Sequence, residues 1–178
     1  MQDKNNLVWM DLEMTGLDPE KDKVLELAVL ITDKELNIVA EGPTVVIHQE
    51  DEILAQMDEW NTRTHTASGL IDRVRVSEDN EFTCMNTVIS FMQLHVPMGA
   101  SPLCGNSIWQ DRRFIIKHLP YIDRYLHYRN IDVSSIKELV TRWAPGTEFP
   151  KEKRHEALSD IRESVAELAF YRQNFFHL

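Results

Sequence analysis

Asp11 and Glu13 stand one residue apart in the first apolar run of the chain, LVWMDLE. On a strand, side chains at i and i+2 leave from one face with their Cα atoms roughly 6.5–7 Å apart, so both carboxylates aim at one place. Leu7 and Trp9 mark the run as buried, where two acids are costly unless solvated or neutralised. Taken alone, a solvent-facing strand end is the better account, because a DxE pair is common. Asp111 follows in CGNSIWQDRRF at the start of a helical pattern, where an acid also complements the helix dipole. Asp160 sits in RHEALSDIRES, five residues after His155 and near the start of another helical pattern. A helix-start acid and a surface histidine explain these two as well.

Together the positions supply four carboxylates and one imidazole from three separate elements. Such a set can hold two divalent cations, and an all-oxygen donor set suits Mg²⁺ or Mn²⁺ better than thiophilic metals. Two ions about 3.5–4 Å apart can serve phosphodiester hydrolysis at the water, the phosphoryl group and the leaving 3′-oxygen. His155 is not needed as a ligand. With an ordinary pKa near 6.5 it can take the proton of the attacking water, as general base. Without metal the acids repel one another and their pKa values rise.

The elements that must bring these residues together can be read from periodicity. Residues 7–13, 24–32 and 36–48 are rich in aliphatic and β-branched side chains and are separated by turn signals, which predicts three successive strands. Residues 52–75 and 81–95 have helical spacing, as in Phe82, Met85, Val88, Ile89 and Met92. A short apolar piece at 102–105 precedes a helical pattern over 110–118, and Ile161, Val165, Leu168 and Ala169 predict an amphipathic helix near the C-terminus. The order predicts an α/β protein, with a mixed sheet flanked by α-helices.

No repeat or linker divides the 178 residues, so residues 1–178 are expected to form one domain. A hydrophobic fraction of 43% and a charged fraction of 27% belong to a folding chain. The absence of a signal-like or spanning apolar run points to a cytoplasmic protein that makes no membrane contact. Cys84 and Cys104 read as reduced thiols, with no structural role expected for either. The net charge of −10 argues against long duplex nucleic acid as a partner, yet suits a site that collects cations before a small phosphate ligand.

DLEMTG (11–16), GNSIWQD (105–111) and HxxxxD (155–160) occur in an order that resembles the three motifs of the DEDDh 3′→5′ exonuclease superfamily. The likeness extends through MDEWNTRTHTASGL, YRNIDVSSIKEL and HEALSDIRESVAELAFYR, along nearly the whole chain. It implies an RNase H-like fold with a five-stranded mixed sheet, and an exonuclease domain that hydrolyses very short single-stranded RNA, down to dinucleotides, to 5′-mononucleotides. It implies metal ligation by Asp11, Glu13, Asp111 and Asp160, with catalytic roles for His155 and Tyr128. Leu17 and Trp60 would contact the terminal bases, while His65, Ser107, Tyr128, Arg129 and Ser134 would surround the substrate's 5′ end. The resemblance further implies a homodimer that presents Tyr128 and Arg129 across its interface. Arg129 suits a phosphate, and Tyr128 a base face or phosphate oxygen. The sequence departs from the family pattern at Trp109, where a smaller side chain is usual, and in the compact PGTEFPKEKR stretch before His155.

Two other functions remain open at this level. A proofreading or RNA-trimming member of the same superfamily would use the same acids on a longer substrate, and a binding protein could keep the fold without the chemistry. Retention of all five motif residues argues against the second. GxSxG, Walker and GxGxxG motifs are absent.

Overall fold

The computed structural model describes residues 1–150 and 157–176, so His155 lies outside the described residues. Strands β1 (Leu7–Met14), β2 (Val24–Thr32) and β3 (Ile38–Val46) form an antiparallel meander. Two short strands, β4 (Leu103–Gly105) and β5 (Asn130–Asp132), add parallel to β1's other side, giving the order β3-β2-β1-β4-β5. The mixed five-stranded sheet with flanking helices is the expected architecture, and β1 is its central strand.

The two faces of β1 feed two cores. Val8, Met10 and Leu12 pack with Val88 and Met92 of α4 (Glu81–His95) and Phe114 and Ile115 of α5 (Ile108–His118). Trp9 packs on the opposite face with Val133 and Val140 of α7 (Val133–Trp143) and Ala157, Ile161 and Val165 of α8 (Ala157–Phe175). Alternation therefore assigns Asp11 and Glu13, two and four residues beyond Trp9, to the α7/α8 side. All nine residues of β2 are buried, as expected of a strand covered on both faces. Each large side chain so buried contributes about 1.5–3 kcal/mol.

The structure refines one expectation and corrects another. The helical stretch at 52–75 is three helices: α1 (Asp51–Leu54), α2 (Glu59–Ala67) and α3 (Leu70–Val76). Asp58 starts α2 by accepting the N–H of Asn61, and Gly69, at φ 69°, turns the chain into α3 through a left-handed conformation. Cys84 and Cys104 are free, as expected, but both are buried in the cores and do have a structural part as small apolar residues. Burial pushes the Cys84 thiol up to about 12. Strand β5 and helix α6 (Pro120–Tyr125) are too short to show a period in the sequence. No described helix is long and apolar enough to cross a membrane.

Candidate functional site

Asp11, Glu13 and Asp160 each offer a carboxylate oxygen within 4.8 Å of the others. The first two come from neighbouring same-face positions of β1, and the third from the first turn of α8. Helix α8 is held in place by its apolar stripe and by two outer ion pairs. Arg162 makes a bidentate pair with Glu41 of β3 at 2.6 and 3.0 Å, and Arg172 pairs with Glu35. The Ser164 hydroxyl donates to the backbone oxygen of Asp160 at 2.9 Å.

Asp111 approaches from the other layer. It is buried near the start of α5, and its Oδ1 accepts the N–H of Leu12 at 3.0 Å. The structure thus brings together the four acids singled out in the sequence, with Asp111 outside the tight triple but electrostatically joined to it.

Burial first, and then the neighbouring charges, raise the pKa values of these carboxyls. Burial pushes the Asp11 carboxyl well up, reinforced by Asp111, Glu13, Asp160 and Glu26. Glu13 is pushed up to about 7, first by burial and then by Asp160, Glu26 and Asp111, with Arg73 opposing. Asp111 is also raised to about 7 by burial, with the Leu12 N–H opposing. Acids that prefer to be neutral without a counterion form a favourable place for a cation. The donors are all hard oxygens gathered in one place, so the residues fit Mg²⁺ or Mn²⁺.

A second layer surrounds Glu13. Glu26 lies opposite it in the β1/β2 register, and like charges across a pair are unfavourable. Arg73 of α3 forms an ion pair with Glu26. His65 is 2% exposed, and its Nε2 is 2.9 Å from the carbonyl of Met14. The carbonyl can only accept, so Nε2 carries a proton and Nδ1 faces Glu13 at 3.8 Å. Burial lowers the pKa of His65 and favours this neutral ring.

Leu17 and Trp60 are 69% and 56% exposed, on the loop after β1 and the first turn of α2. That loop is braced by Asp22, which accepts from Thr15 Oγ1 at 3.1 Å and the Asp18 N–H at 2.9 Å. Gly16 permits the close approach, since a Cβ there would collide with the Asp22 carboxylate. Gln110 Nε2 donates to the Leu17 carbonyl at 2.7 Å, tying the loop to α5. Ser107 and Ser134 meet at the starts of α5 and α7, with their hydroxyls 3.1 Å apart. Tyr128 and Arg129 occupy the segment before β5, with the guanidinium carbon 5.5 Å from the ring centroid. Trp109 is solvent-facing, with Arg113 5.8 Å from its ring centroid.

Sequence reading missed Glu26, Arg73, Gln110 and Asn106. The first could have been found as the lone acid inside the apolar run VLELAVLIT, and the last two lie within GNSIWQD.

Comparison with known proteins bears directly on this arrangement. A family model described as Exonuclease matches residues 8–168. The chain is 56% identical over 178 residues to an oligoribonuclease of Enterobacter sp. (strain 638), covering 99% of this chain and 98% of that protein. It is equally identical to one of Salmonella typhimurium (strain LT2) with the same coverage. One of Shewanella sp. (strain MR-4) is 54% identical, again over 99% of this chain and 98% of the relative. Among solved structures, the zinc-bound E. coli exonuclease I complex with single-stranded DNA superposes with a TM-score of 0.74 at 16% identity. The match covers 98% of this chain and 41% of that one. Exonuclease I of Methylocaldum szegediense gives 0.71 at 20% identity, over 96% of this chain and 41% of the other. The chain thus spans about two fifths of the exonuclease I chains, whose likeness shows a shared RNase H-like fold.

Proposed function

We propose, on the premise that this chain belongs to the exonuclease family and is an exoribonuclease similar to oligoribonucleases over nearly its whole length, that it removes 5′-mononucleotides from the 3′ end of very short RNA, down to dinucleotides. The observation that carries the proposal is the convergence of Asp11, Glu13 and Asp160 within 4.8 Å, with Asp111 bonded into the same strand.

Asp11, Glu13, Asp111 and Asp160 would hold the metal. The chemistry supplied by bound Mg²⁺ or Mn²⁺, two ions in this reading, is activation of water and neutralisation of charge at the phosphoryl group and leaving oxygen. The protein's own residues do the rest. His155 takes the proton of the attacking water as general base; its support is its sequence position, five residues before Asp160. Leu17 and Trp60 offer exposed apolar surface for the terminal bases. Ser107 and Ser134 would meet the other end, and His65, assigned there by the resemblance, would do so from its buried place beside Glu13. Tyr128 and Arg129 reach a site across a homodimer interface, where Tyr128 also serves catalysis. Their exposure on this chain is consistent with that assignment.

Contact confined to two ends of a small ligand lets a protein of net charge −10 bind RNA without a long basic groove. A cytoplasmic location is part of the same proposal.

The test is cleavage of 5′-labelled RNAs of two, four and about ten nucleotides, with matching DNA, in Mg²⁺, Mn²⁺ or chelator, alongside Asp11→Ala and His155→Ala. Preference for the dinucleotide, dependence on metal and inactivity of both variants are expected. Preference for longer RNA or DNA would return the protein to a more general exonuclease role. Tight binding without cleavage under either metal would favour the binding-protein alternative.

A further inference from the structure

We infer that Asn106, held by the buried carboxylate of Glu167, is a positioning residue for the cap on the substrate's 5′ end; this rests on the proposed contact of Ser107 and Ser134 with that end. Glu167 lies on α8 with no exposed surface, and the chemistry described above does not use it. A carboxylate is buried so completely only where strong partners hold it. It accepts the Tyr171 hydroxyl at 2.8 Å and Asn106 Nδ2 at 3.0 Å, and Lys137 Nζ stands 3.8 Å away. Asn106 Nδ2 also donates to Ser164 Oγ at 2.8 Å.

The other end of the Asn106 amide faces the cap. Its Oδ1 accepts the Ser134 hydroxyl at 3.0 Å, and Ser134 Oγ in turn accepts the Ser107 N–H at 2.9 Å. The single proton of Ser134 is thereby committed, so Ser107 Oγ is the donor in the 3.1 Å bond between the two hydroxyls, and it is the Ser107 proton that can leave that bond for an anionic ligand. Ser107 itself has φ 50°, a left-handed conformation unusual for a side-chain-bearing residue. Asp132 Oδ1 accepts the N–H groups of both Ser107 and Ser134, at 2.9 and 3.0 Å, and helps to hold that geometry. A continuous run of hydrogen bonds therefore leads from a buried carboxylate to two surface hydroxyls. Only a side chain with a donor and an acceptor on one planar group can make the Asn106 link.

Glu167 and Asp160 share α8, seven residues or roughly 10.5 Å of helix rise apart. One rigid helix thus sets the acid cluster and the support for the 5′-end cap at a constant spacing, which is how a site would measure a short ligand.

The experiment compares kcat and KM for dinucleotides bearing a 5′-phosphate or a 5′-hydroxyl, using wild type, Asn106→Ala, Asn106→Asp and the double variant Asn106→Asp/Glu167→Gln, with Mn²⁺ affinity measured by calorimetry. Asn106→Ala is expected to raise KM for the 5′-phosphorylated substrate roughly tenfold, with smaller effects on kcat and on the 5′-hydroxyl substrate. Mn²⁺ affinity is expected to stay constant. Asn106→Asp sets two carboxylates against each other and should lose more; the double variant exchanges donor and acceptor and should recover most of the loss. Equal losses on both substrates, a parallel loss of Mn²⁺ affinity, or an unchanged KM would each overturn the inference. If the double variant does not fold, Asn106→Ala decides, because it leaves Glu167 paired with Tyr171. A wild type that ignores the 5′-phosphate would remove the reading of Ser107 and Ser134, and this inference with it. A wild type that prefers the phosphate while Asn106→Ala keeps that preference would remove the inference alone.

Discussion

Asp111 Oδ1 accepts the backbone N–H of Leu12 at 3.0 Å, so an acid from α5 is bonded to the strand midway between Asp11 and Glu13. The bond gives Asp111 a structural part separable from metal ligation. Asp111→Asn keeps an acceptor for that N–H, whereas Asp111→Ala leaves it unpaired in the interior. Denaturant melts in chelator should find the alanine variant less stable than the asparagine variant by about 1–3 kcal/mol. Both variants should bind Mn²⁺ more weakly than wild type. Equal stability of the two would show that the bond contributes nothing.

The raised acids make metal-free stability depend on pH. Glu13 and Asp111 move to about 7 from ordinary values of 4.5 and 3.8. The folded chain therefore holds protons that the unfolded chain releases between roughly pH 4 and pH 7, and their stabilising contribution is complete below that window and lost as pH rises through it. Relative to wild type, metal-free Glu13→Gln should gain stability as pH goes from about 4.5 to 8. Added Mg²⁺ at the upper pH should then stabilise wild type more than the variant. Parallel stability curves for the two proteins would refute this account.

Removing a metal ligand should cost activity even where it benefits the apo fold. Glu13→Gln is expected to lose at least roughly 100-fold in kcat/KM, since even the partners of metal ligands are commonly worth 10–100-fold. Activity within a few fold of wild type, at saturating Mg²⁺, would remove Glu13 from the metal site.

Leu17 and Trp60 are exposed, so their loss should leave the fold alone. Alanine at either position should change stability by no more than about 0.5 kcal/mol. KM for a dinucleotide should rise by roughly tenfold or more, if a base loses its stacking or apolar partner. Unchanged KM would place the bases elsewhere.

If Tyr128 acts across a dimer, two inactive variants should complement each other. An equal mixture of Asp11→Ala and Tyr128→Ala subunits, unfolded and refolded together, would contain intact sites only in mixed dimers and recover about a quarter of wild-type activity. No recovery from a mixture shown to contain mixed dimers would place Tyr128 in its own subunit's site or outside the chemistry.

The sheet and the acids were legible for different reasons. The three long strands carry unbroken aliphatic runs, and the alternation of Asp11 and Glu13 with Leu12 states which face they share. Asp111 and Asp160 were legible as motif residues, but nothing in their local spacing says that α5 and α8 lie on opposite faces of the sheet and meet at β1. The break of 52–75 into three helices was hidden because apolar spacing continues across it; the signals were Asp58 and Gly69. Glu26 and Glu167 were passed over because an acid in an apolar pattern looks like a solvent-facing position. Their partners, Arg73 for one and Asn106 with Tyr171 for the other, are 47, 61 and 4 residues away.

The last of the four acids along the chain enters through α8, whose packing on the β1/β2 side also completes the second core. A polypeptide emerging from the ribosome therefore carries Asp11, Glu13 and Asp111 long before it can close the cluster. Until residue 160 and the helix beyond it have been released, the nascent protein lacks one wall of its own site. In the proposed site the acid cluster would close only once α8 has been made, after the three acids that precede it in the chain.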